Sequence, residues 1–421
     1  MTTEEQKKQI EEFHTKLEKI CEKDFNRIPE VEVGFHEGRP YRIFGKHDDK
    51  TLEQFFNALG HELGISGTLC ADGHYGYGQP IGSAIRYNGV SVSGVGYDIG
   101  CGLLSRSLTY RYESLLEAIP NLHEIVSNNL DRDKNSVTEG LHEMFEYKYI
   151  EDDLRKSKLF SKEELKDLKE AAYSGIGTLG NGNHFLNLVA DLDGTAKLIT
   201  HTGSRSFGHM ISQKFYDLAG YKDSDSDPLV FSSKDDLYLP YRLLVATAST
   251  YASYNRSAII QKIANSIISE VQKTGKAYEI ESDTSYKMNV STIHNCTSSH
   301  LIGGSVSYKG CTTSTQGLIA SSMADPIYHV RSVAIPQFGS KSSEVPFANP
   351  HGSGRLFSRR RAKKELSKET QMNILKERGI ELIGGDIDES PECYRDVKDV
   401  MKAHGLNILE VYTPKLVIMN T

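Results

Sequence analysis

The stretch Ser93-Gly94-Val95-Gly96-Tyr97-Asp98-Ile99-Gly100-Cys101-Gly102 sets four glycines around one carboxylate and one thiol. It closes a segment that reads as strand, with Val90, Val92 and Val95 in register. Glycine lets the backbone take positive φ and approach a ligand closely, so such a run is rarely plain core. Asp98 and Cys101 stand three residues apart in a turn, a spacing that lets both heads reach one ion. A carboxylate oxygen beside a thiolate suits a borderline divalent metal such as Mn, Fe, Co or Zn. The competing interpretation is a glycine-rich turn with a buried free cysteine, and the rest of the chain weighs between the two.

The chain has 421 residues, 38% of them hydrophobic and 25% charged, as in a globular protein with a sizeable core. A formal charge of −7 excludes a generic polycation that coats nucleic acid, so a polyanion would need a local basic patch. Six cysteines (Cys21, Cys70, Cys101, Cys296, Cys311, Cys393) are scattered without a pairing pattern, behind a polar, acidic start rather than a secretory signal. No apolar run is long enough to span a bilayer. The expectation is a soluble, cytoplasmic protein with reduced thiols.

Residues 3–22 read as an amphipathic docking helix, with Ile10, Phe13, Leu17 and Ile20 on one face, and Leu52–Leu59 as a short helix. Asp72-Gly73-His74-Tyr75-Gly76-Tyr77-Gly78-Gln79-Pro80-Ile81-Gly82 is poor helix and poor strand, hence a loop. His74 alone reads as structural, whereas Asp72 is suited to orient a second histidine. Residues 108–173 read as helical scaffold with a capping box at Ser161–Glu164. Gly175–Gly182 then leads into Asn183-His184 and a strand from Phe185 to Val189. Lys197–Thr200 reads as a buried strand with His201 at its exit, followed by Gly203-Ser204-Arg205, equipment for a phosphate.

Asp223–Asp227 reads as a solvated acidic loop, and the segment from Pro240 to Gly275 as a core helix with Ile260, Ile263, Ile267 and Val271 inward. Residues 277–309 alternate like strands around His294-Asn295, and Val330–Ile335 reads as strand ending at a polar loop, 336–343, suited to line a nucleotide. His351-Gly352-Ser353-Gly354 is expected to open a basic helix carrying Arg359, Arg360, Arg361, Lys363 and Lys364, with amides presented to an anion. His351 is therefore a candidate for covalent or acid–base chemistry on phosphorus. One helix is expected from Ser390 to Gly405, with Tyr394 in it as a stacking ring or a core residue. A terminal strand pair, Asn407–Tyr412 and Lys415–Met419, closes the chain.

Each motif is weak alone, but their order resembles the RtcB-like RNA ligases, the tRNA-splicing, 3′-phosphate RNA ligases. The blocks that carry the resemblance are Asp72–Gly82, Gly94–Gly102, Gly177–Leu186, His201–Gly208, His294-Asn295, Lys309-Gly310 and His351–Arg355 with its basic helix, within residues 72–364. The resemblance implies an α+β fold, one compact catalytic domain over residues 1–421, with residues 1–25 docked as a helix and the site in a central cleft. It implies two Mn²⁺ ions, both reached by Cys101, with Asp98, His184, His201 and His294 completing the ligands. His351, oriented by Asp72, would attack the α-phosphate of GTP to give a histidine–GMP phosphoramidate and pyrophosphate. GMP would pass to an RNA 3′-phosphate, giving RNA-3′pp5′G, and a 5′-hydroxyl would then expel GMP. A 2′,3′-cyclic phosphate would first be opened by hydrolysis.

On the nucleotide side the resemblance implies Asn183 and Arg205 on phosphate oxygens. Phe185, Asn187, Ser343, Tyr394 and Met419 would contribute, as would His294, Asn295, Gly352, Ser353 and Gly354. It also implies RNA as partner, with an archease-type activator protein as a candidate and no membrane. The sequence departs from the family pattern at four places. Asn187 stands where the family typically has the glutamate that reads guanine, and Met419 where it has a nucleotide-contacting lysine. Phe338 occupies a small-residue position in the 337–343 loop, and Gly100 stands where many members have asparagine. A metal- and nucleotide-dependent ligase for RNA repair or tRNA splicing is the leading function. A Mn-dependent 3′-phosphate capping enzyme or cyclic phosphodiesterase without full ligation is the alternative, and a non-catalytic RNA binder a third. The retained ligands and His351 argue against the third.

Overall fold

Two consecutive short strands, Ser291–Ile293 and Asn295–Ser299, belong to different sheets, and His294 is the residue between them. The architecture is organised around that crossing. The computed structural model describes residues 2–24, 28–131, 147–222, 226–275, 289–299 and 304–420. It is a mixed helix-and-sheet fold.

The first sheet has six strands in the order Val31–His36, Arg39–Phe44, Gly64–His74, Ile81–Tyr87, Ser305–Lys309, Asn295–Ser299. Its pairings are antiparallel except where Arg39–Phe44 runs parallel to Gly64–His74. The second sheet has eight strands. Seven follow the order Ser291–Ile293, Gly102–Arg111, Thr195–Thr202, Phe185–Ala190, Leu406–Met419, Ile327–Ser332, Gln316–Ile319, and Glu381–Ile383 pairs alongside Leu406–Met419. The glycine-rich stretch 93–102 feeds straight into the second sheet. Gly102 is required there, because a Cβ would lie 2.1 Å from the Thr292 carbonyl oxygen on the paired strand.

The 36-residue helix Tyr238–Lys273 spans the back of the molecule. Its first half (Tyr241, Leu244, Val245, Ala248, Tyr251) packs with the helices Lys162–Gly175 and Arg205–Ala219. Its second half (Ile260, Ile263, Ile267, Val271) packs on the second sheet through Leu186, Leu188 and Leu198. The expected inward face is the observed one. The helix begins two residues before Pro240, which sits in the first turn, where its missing N–H costs no intrahelical bond. The N-terminal helix Thr3–Asp24 docks through Phe13 and Leu17, both buried, against Val33, Phe338 and Val345. The capping box at Ser161 forms, with its hydroxyl and the Glu164 carboxylate each bonded to the other's backbone. Among the described residues no helix is long and apolar enough to cross a membrane.

Several elements differ from expectation. Asp72, Gly73 and His74 are not loop but the end of strand Gly64–His74, where His74 pairs with Ile81 after a register shift that follows Leu69. The 108–173 region is strand up to Arg111 before its helices begin. The basic helix starts at Arg359 with Ser358 as N-cap, so the glycines of 352–354 do not open it. The expected helix from Ser390 breaks in two: a 3₁₀ turn at Pro391–Cys393, then Val397–His404 capped by Asp396, with Tyr394 extended between them. The terminal strand pair is one bulged strand, Leu406–Met419, which continues through Pro414 and joins the two halves of its sheet. Residues 132–146, 223–225, 276–288 and 300–303 lie outside the described residues, so those parts of the helical, acidic-loop and strand expectations do too.

Candidate active site

The five side chains marked as ligands converge where the two sheets meet. Asp98 and Cys101 come from the loop ahead of strand Gly102–Arg111, His184 precedes strand Phe185–Ala190, and His201 lies near the end of Thr195–Thr202. His294 enters at the crossing, with its N–H donating to the Cys101 carbonyl at 2.9 Å. Cys101 Sγ lies 3.1 Å from His201 Nε2 and 3.6 Å from His184 Nε2. His184 Nε2 is 2.9 Å from Asp98 Oδ2, and His201 Nε2 is 3.1 Å from His294 Nε2. Two donor triads result, Asp98–Cys101–His184 and Cys101–His201–His294, each with its atoms within 4.8 Å of one another, and Cys101 belongs to both.

The chain prepares these donors for a cation. His184 Nδ1 and His201 Nδ1 face the Leu179 and Asn183 carbonyls at 3.1 and 3.0 Å. A carbonyl only accepts, so each Nδ1 carries the proton and each Nε2 keeps its lone pair toward the cluster. Burial, assisted by His184, pushes His201 down to about 3, and burial together with His351 drives His294 well below the usual imidazole range. Burial raises the Asp98 carboxyl, but the His184 imidazole outweighs it and brings it down to about 2. The Cys101 thiol is driven well up by burial and by Asp98. A thiol so placed becomes a thiolate when a cation lies against it. Three imidazole nitrogens, a carboxylate and one sulfur shared by two triads fit bound divalent metal.

Behind the donors lies a layer of which the sequence motifs marked only Asn295. Arg256, 1% exposed, donates from Nη1 to the Gly100 carbonyl (2.7 Å) and the Thr202 carbonyl (2.9 Å), clamping both ligand-bearing segments. Asn255 bonds Thr178 and the Gly203 carbonyl. Asn295 donates to the Asp98 carbonyl (3.1 Å) and accepts from Gly310 N–H (2.8 Å), tying the metal loop to the first sheet. Gly203 leaves room for the carboxylate, since a Cβ there would lie 2.0 Å from Asp98 Oδ1.

His351 adjoins the cluster, its ring centroid 4.9 Å from that of His294. Asp72, fully buried, places Oδ2 2.7 Å from His351 Nδ1, and the same oxygen accepts from the N–H of His351 (3.1 Å) and of Gly352 (3.3 Å). Burial raises the Asp72 carboxyl, and the His351 imidazole more than reverses this. The 351–354 turn is pressed onto the strand: at Gly354, φ +73°, a Cβ would stand 2.4 Å from the Asp72 carbonyl oxygen.

A cleft of about 380 Å³ opens beside these groups. Its lining includes Asn183, Phe185, Asn187, Met419, Gly352, Ser353, Gly354, Tyr394, His294 and Asn295. Two expected nucleotide residues lie elsewhere. Arg205, at the start of its helix with φ 55°, donates from Nε to Thr178 Oγ1 and covers the Gly180 turn. Ser343 belongs to the 336–343 loop, which lines no part of the cleft. Its Phe338 is buried between Phe13 and Phe35, with ring centroids 5.7 and 5.3 Å away, so this departure from a small residue anchors the N-terminal helix.

The cleft also holds residues that the site reading did not single out. Lys309 lines it and donates to the Tyr77 and Ser93 carbonyls, and Arg355 stacks over the Tyr394 ring at 5.0 Å. Glu389 joins Arg355, Arg359 and the Tyr394 hydroxyl. On the basic helix, Arg361 pairs with Glu365 and Lys363 with Asp386, which tempers the positive field expected of it. Only the adjacency of Arg355 to Gly354 hinted at this group, because its partner Glu389 is 34 residues away in sequence.

The sequence pattern described as tRNA-splicing ligase RtcB matches residues 63–418. The RNA-splicing ligase RtcB of Escherichia coli K12 is 28% identical over 370 residues, covering 82% of this chain and 88% of that protein. The tRNA-splicing ligase RtcB of Thermococcus kodakarensis is 23% identical, covering 84% of this chain and 87% of that protein. RtcB1 of a second Escherichia coli strain, ATCC 25922, is 28% identical over 372 residues, with 82% and 88% covered.

Proposed function

The chain belongs to the RtcB family of tRNA-splicing ligases, and from that premise we propose that it seals RNA 3′-phosphate or 2′,3′-cyclic phosphate ends to 5′-hydroxyl ends through a nucleotide carried on His351. The observation that carries this is the position of His351. Its ring is held by a buried carboxylate and set between a five-donor cluster and a cleft. The single catalytic unit is the whole chain, with the N-terminal helix docked against it.

The Asp72 carboxylate at Nδ1 keeps the proton on that nitrogen and leaves the lone pair on Nε2, so His351 attacks without first losing a proton. Nε2 bonds to the α-phosphorus of a purine nucleoside triphosphate, for which the family resemblance implies GTP, and the bond to the β-phosphate oxygen breaks to release pyrophosphate. Asp72 offsets the positive charge that the imidazole gains. An RNA 3′-phosphate oxygen next attacks the same phosphorus, breaking the P–N bond and restoring His351. The RNA 5′-hydroxyl then attacks the 3′-phosphate, and the nucleoside monophosphate leaves. Asp98, Cys101, His184, His201 and His294 would hold divalent metal, manganese by family resemblance, which would supply charge neutralisation at phosphorus. Arg355 and Lys309 add fixed positive charge along the cleft.

The test is product analysis. An RNA ending in a 2′,3′-cyclic phosphate and a second RNA with a 5′-hydroxyl are incubated with Mn²⁺ and triphosphate, with and without an archease-type activator. Joined RNA carrying the original phosphate at the junction supports the proposal. Accumulation of a nucleotide-capped 3′ end would favour capping, and opening of the cyclic phosphate alone a phosphodiesterase.

A further inference from the structure

We propose that the mouth of the cleft carries an aromatic platform on which unpaired bases beside the RNA ends stack, with Tyr75 and Tyr77 as its exposed rings. This rests on the assignment of the cleft to RNA ends. Of the three exposed tyrosines among the described residues, Tyr75, Tyr77 and Tyr254, the first two share one turn, at 62% and 57% exposed. That turn, 75–80, follows the strand that carries Asp72, and Tyr77 lines the cleft. Single exposed rings are ordinary, whereas two on one turn at the mouth of a site mark an interaction surface. The turn is held rigid between them: buried Gln54 accepts from the Gly76 N–H at 2.9 Å and donates to the Gly76 carbonyl at 2.7 Å. Rings fixed in advance lose little conformational freedom when a ligand covers them.

Further rings continue the surface. Tyr97, next to the donor Asp98, and Tyr216 line the same cleft. Tyr97 stacks on exposed His209, with ring centroids 4.7 Å apart and planes at 18°. Tyr216 lies 5.0 Å from Tyr97 and stacks on Tyr221 at 5.3 Å and 24°. The 75–80 turn is pressed onto that row, since a Cβ at Gly78, φ +58°, would stand 2.8 Å from the Tyr221 hydroxyl oxygen. The Lys309 ammonium lies 6.0 Å from the Tyr77 ring centroid, a positive charge complementary to the phosphate of a stacked nucleotide. That charge, and a row of rings that starts beside a metal donor, favour RNA over a protein as the occupant. Every base has a π-face, so such a platform tolerates any sequence, but it needs bases that are not already stacked in a duplex.

The test is a double-mutant cycle on binding. A single-stranded RNA with a 3′-phosphate and another with a 5′-hydroxyl are titrated against the full chain with Mn²⁺ and no triphosphate. Each is used intact and with abasic riboses at the two nucleotides nearest that end, and fluorescence anisotropy of a dye at the far end reads affinity. The double variant Tyr75→Ala, Tyr77→Ala should bind at least one intact strand about tenfold to a hundredfold more weakly. The unaltered chain should lose as much on the abasic form of that strand, and the two changes together should lose little more. Tyr77→Phe, which keeps the ring, should bind as the unaltered chain does. Losses that add, or a double variant within threefold on both intact strands, would overturn the platform and leave the rings to a protein partner, while joined RNA would still sustain sealing. Coupled losses from a chain that joins no RNA would sustain the platform and overturn sealing instead. Binding of neither strand by the unaltered chain overturns both.

Discussion

Replacing Asp72 by asparagine keeps shape and volume and removes one charge from beneath His351. In the native site a single oxygen faces His351 Nδ1 and accepts from two backbone N–H groups. With three donors converging there, the asparagine must turn its carboxamide oxygen into that place, so the contacts persist as neutral ones. Charge-assisted hydrogen bonds are roughly twice as strong as neutral ones, so about 1 kcal/mol is lost at each of three contacts. The two backbone contacts weaken equally in ground and transition states, but the imidazole becomes cationic as Nε2 bonds to phosphorus, and losing the carboxylate charge opposite it costs about 2–3 kcal/mol in the transition state. An effect of that size lowers the rate roughly a hundredfold. Global stability should change far less, because the variant also removes the cost of burying a carboxylate. The assay is single-turnover nucleotide transfer to the protein, with urea unfolding of the same preparations alongside. A rate within threefold of the unaltered protein would refute the role given to Asp72. An equal loss of rate and of fold would mean that it acts only as scaffold.

Gly203→Ala drives a methyl group into Asp98 Oδ1, and should weaken metal binding at least tenfold, measured by equilibrium dialysis, with the urea midpoint little moved; unchanged metal content would contradict the placement of Asp98. Arg256→Met leaves the Gly100 and Thr202 carbonyls buried and unpaired, and should cost roughly 2–5 kcal/mol in chemical denaturation. A loss below about 1 kcal/mol would mean that the clamp is not needed. His74 and His404 are pushed down by burial to about 4, so the folded chain resists protonating them while the unfolded chain takes up protons below about 6.5. Stability from this source is full above about 6.5 and declines as pH falls toward 4, and His404→Gln should flatten that slope. Urea midpoints at pH 7, 6 and 5 check it, and identical slopes would rule it out.

What was legible from the sequence follows a physical division. Four of the five candidate ligands were visible because each sits beside a glycine turn at a strand end, a local signature, whereas His294 has no glycine neighbour and was marked by its pairing with Asn295. The inward face of the helix Tyr238–Lys273 was visible because helical periodicity is local as well. Arg256 was not: it looks like any helix residue until the fold brings Gly100 and Thr202 beneath it. Asp72–His74 misled because glycine and aspartate disfavour isolated strands, whereas here the chain extends a strand paired at Gly64–Leu69 and closed by His74 against Ile81. The 352–354 glycines suggested a helix start, but their conformational freedom serves close approach to the Asp72 strand. Arg205 was given to phosphate by its Gly-Ser-Arg setting, and only the fold shows its guanidinium turned onto Thr178. Phe338 looked like a change in the nucleotide pocket, and its buried packing against Phe13 shows a change in how the N-terminal helix is held.

The central claim is that His351 carries the nucleotide. The protein is incubated with Mn²⁺ and either ATP or GTP, kept at neutral to alkaline pH, and digested for mass spectrometry of the peptide containing His351. The account predicts an added nucleoside monophosphate on that histidine, lost on acid treatment and absent from His351→Ala. A nucleotide found on another residue, or persisting in His351→Ala, would contradict it.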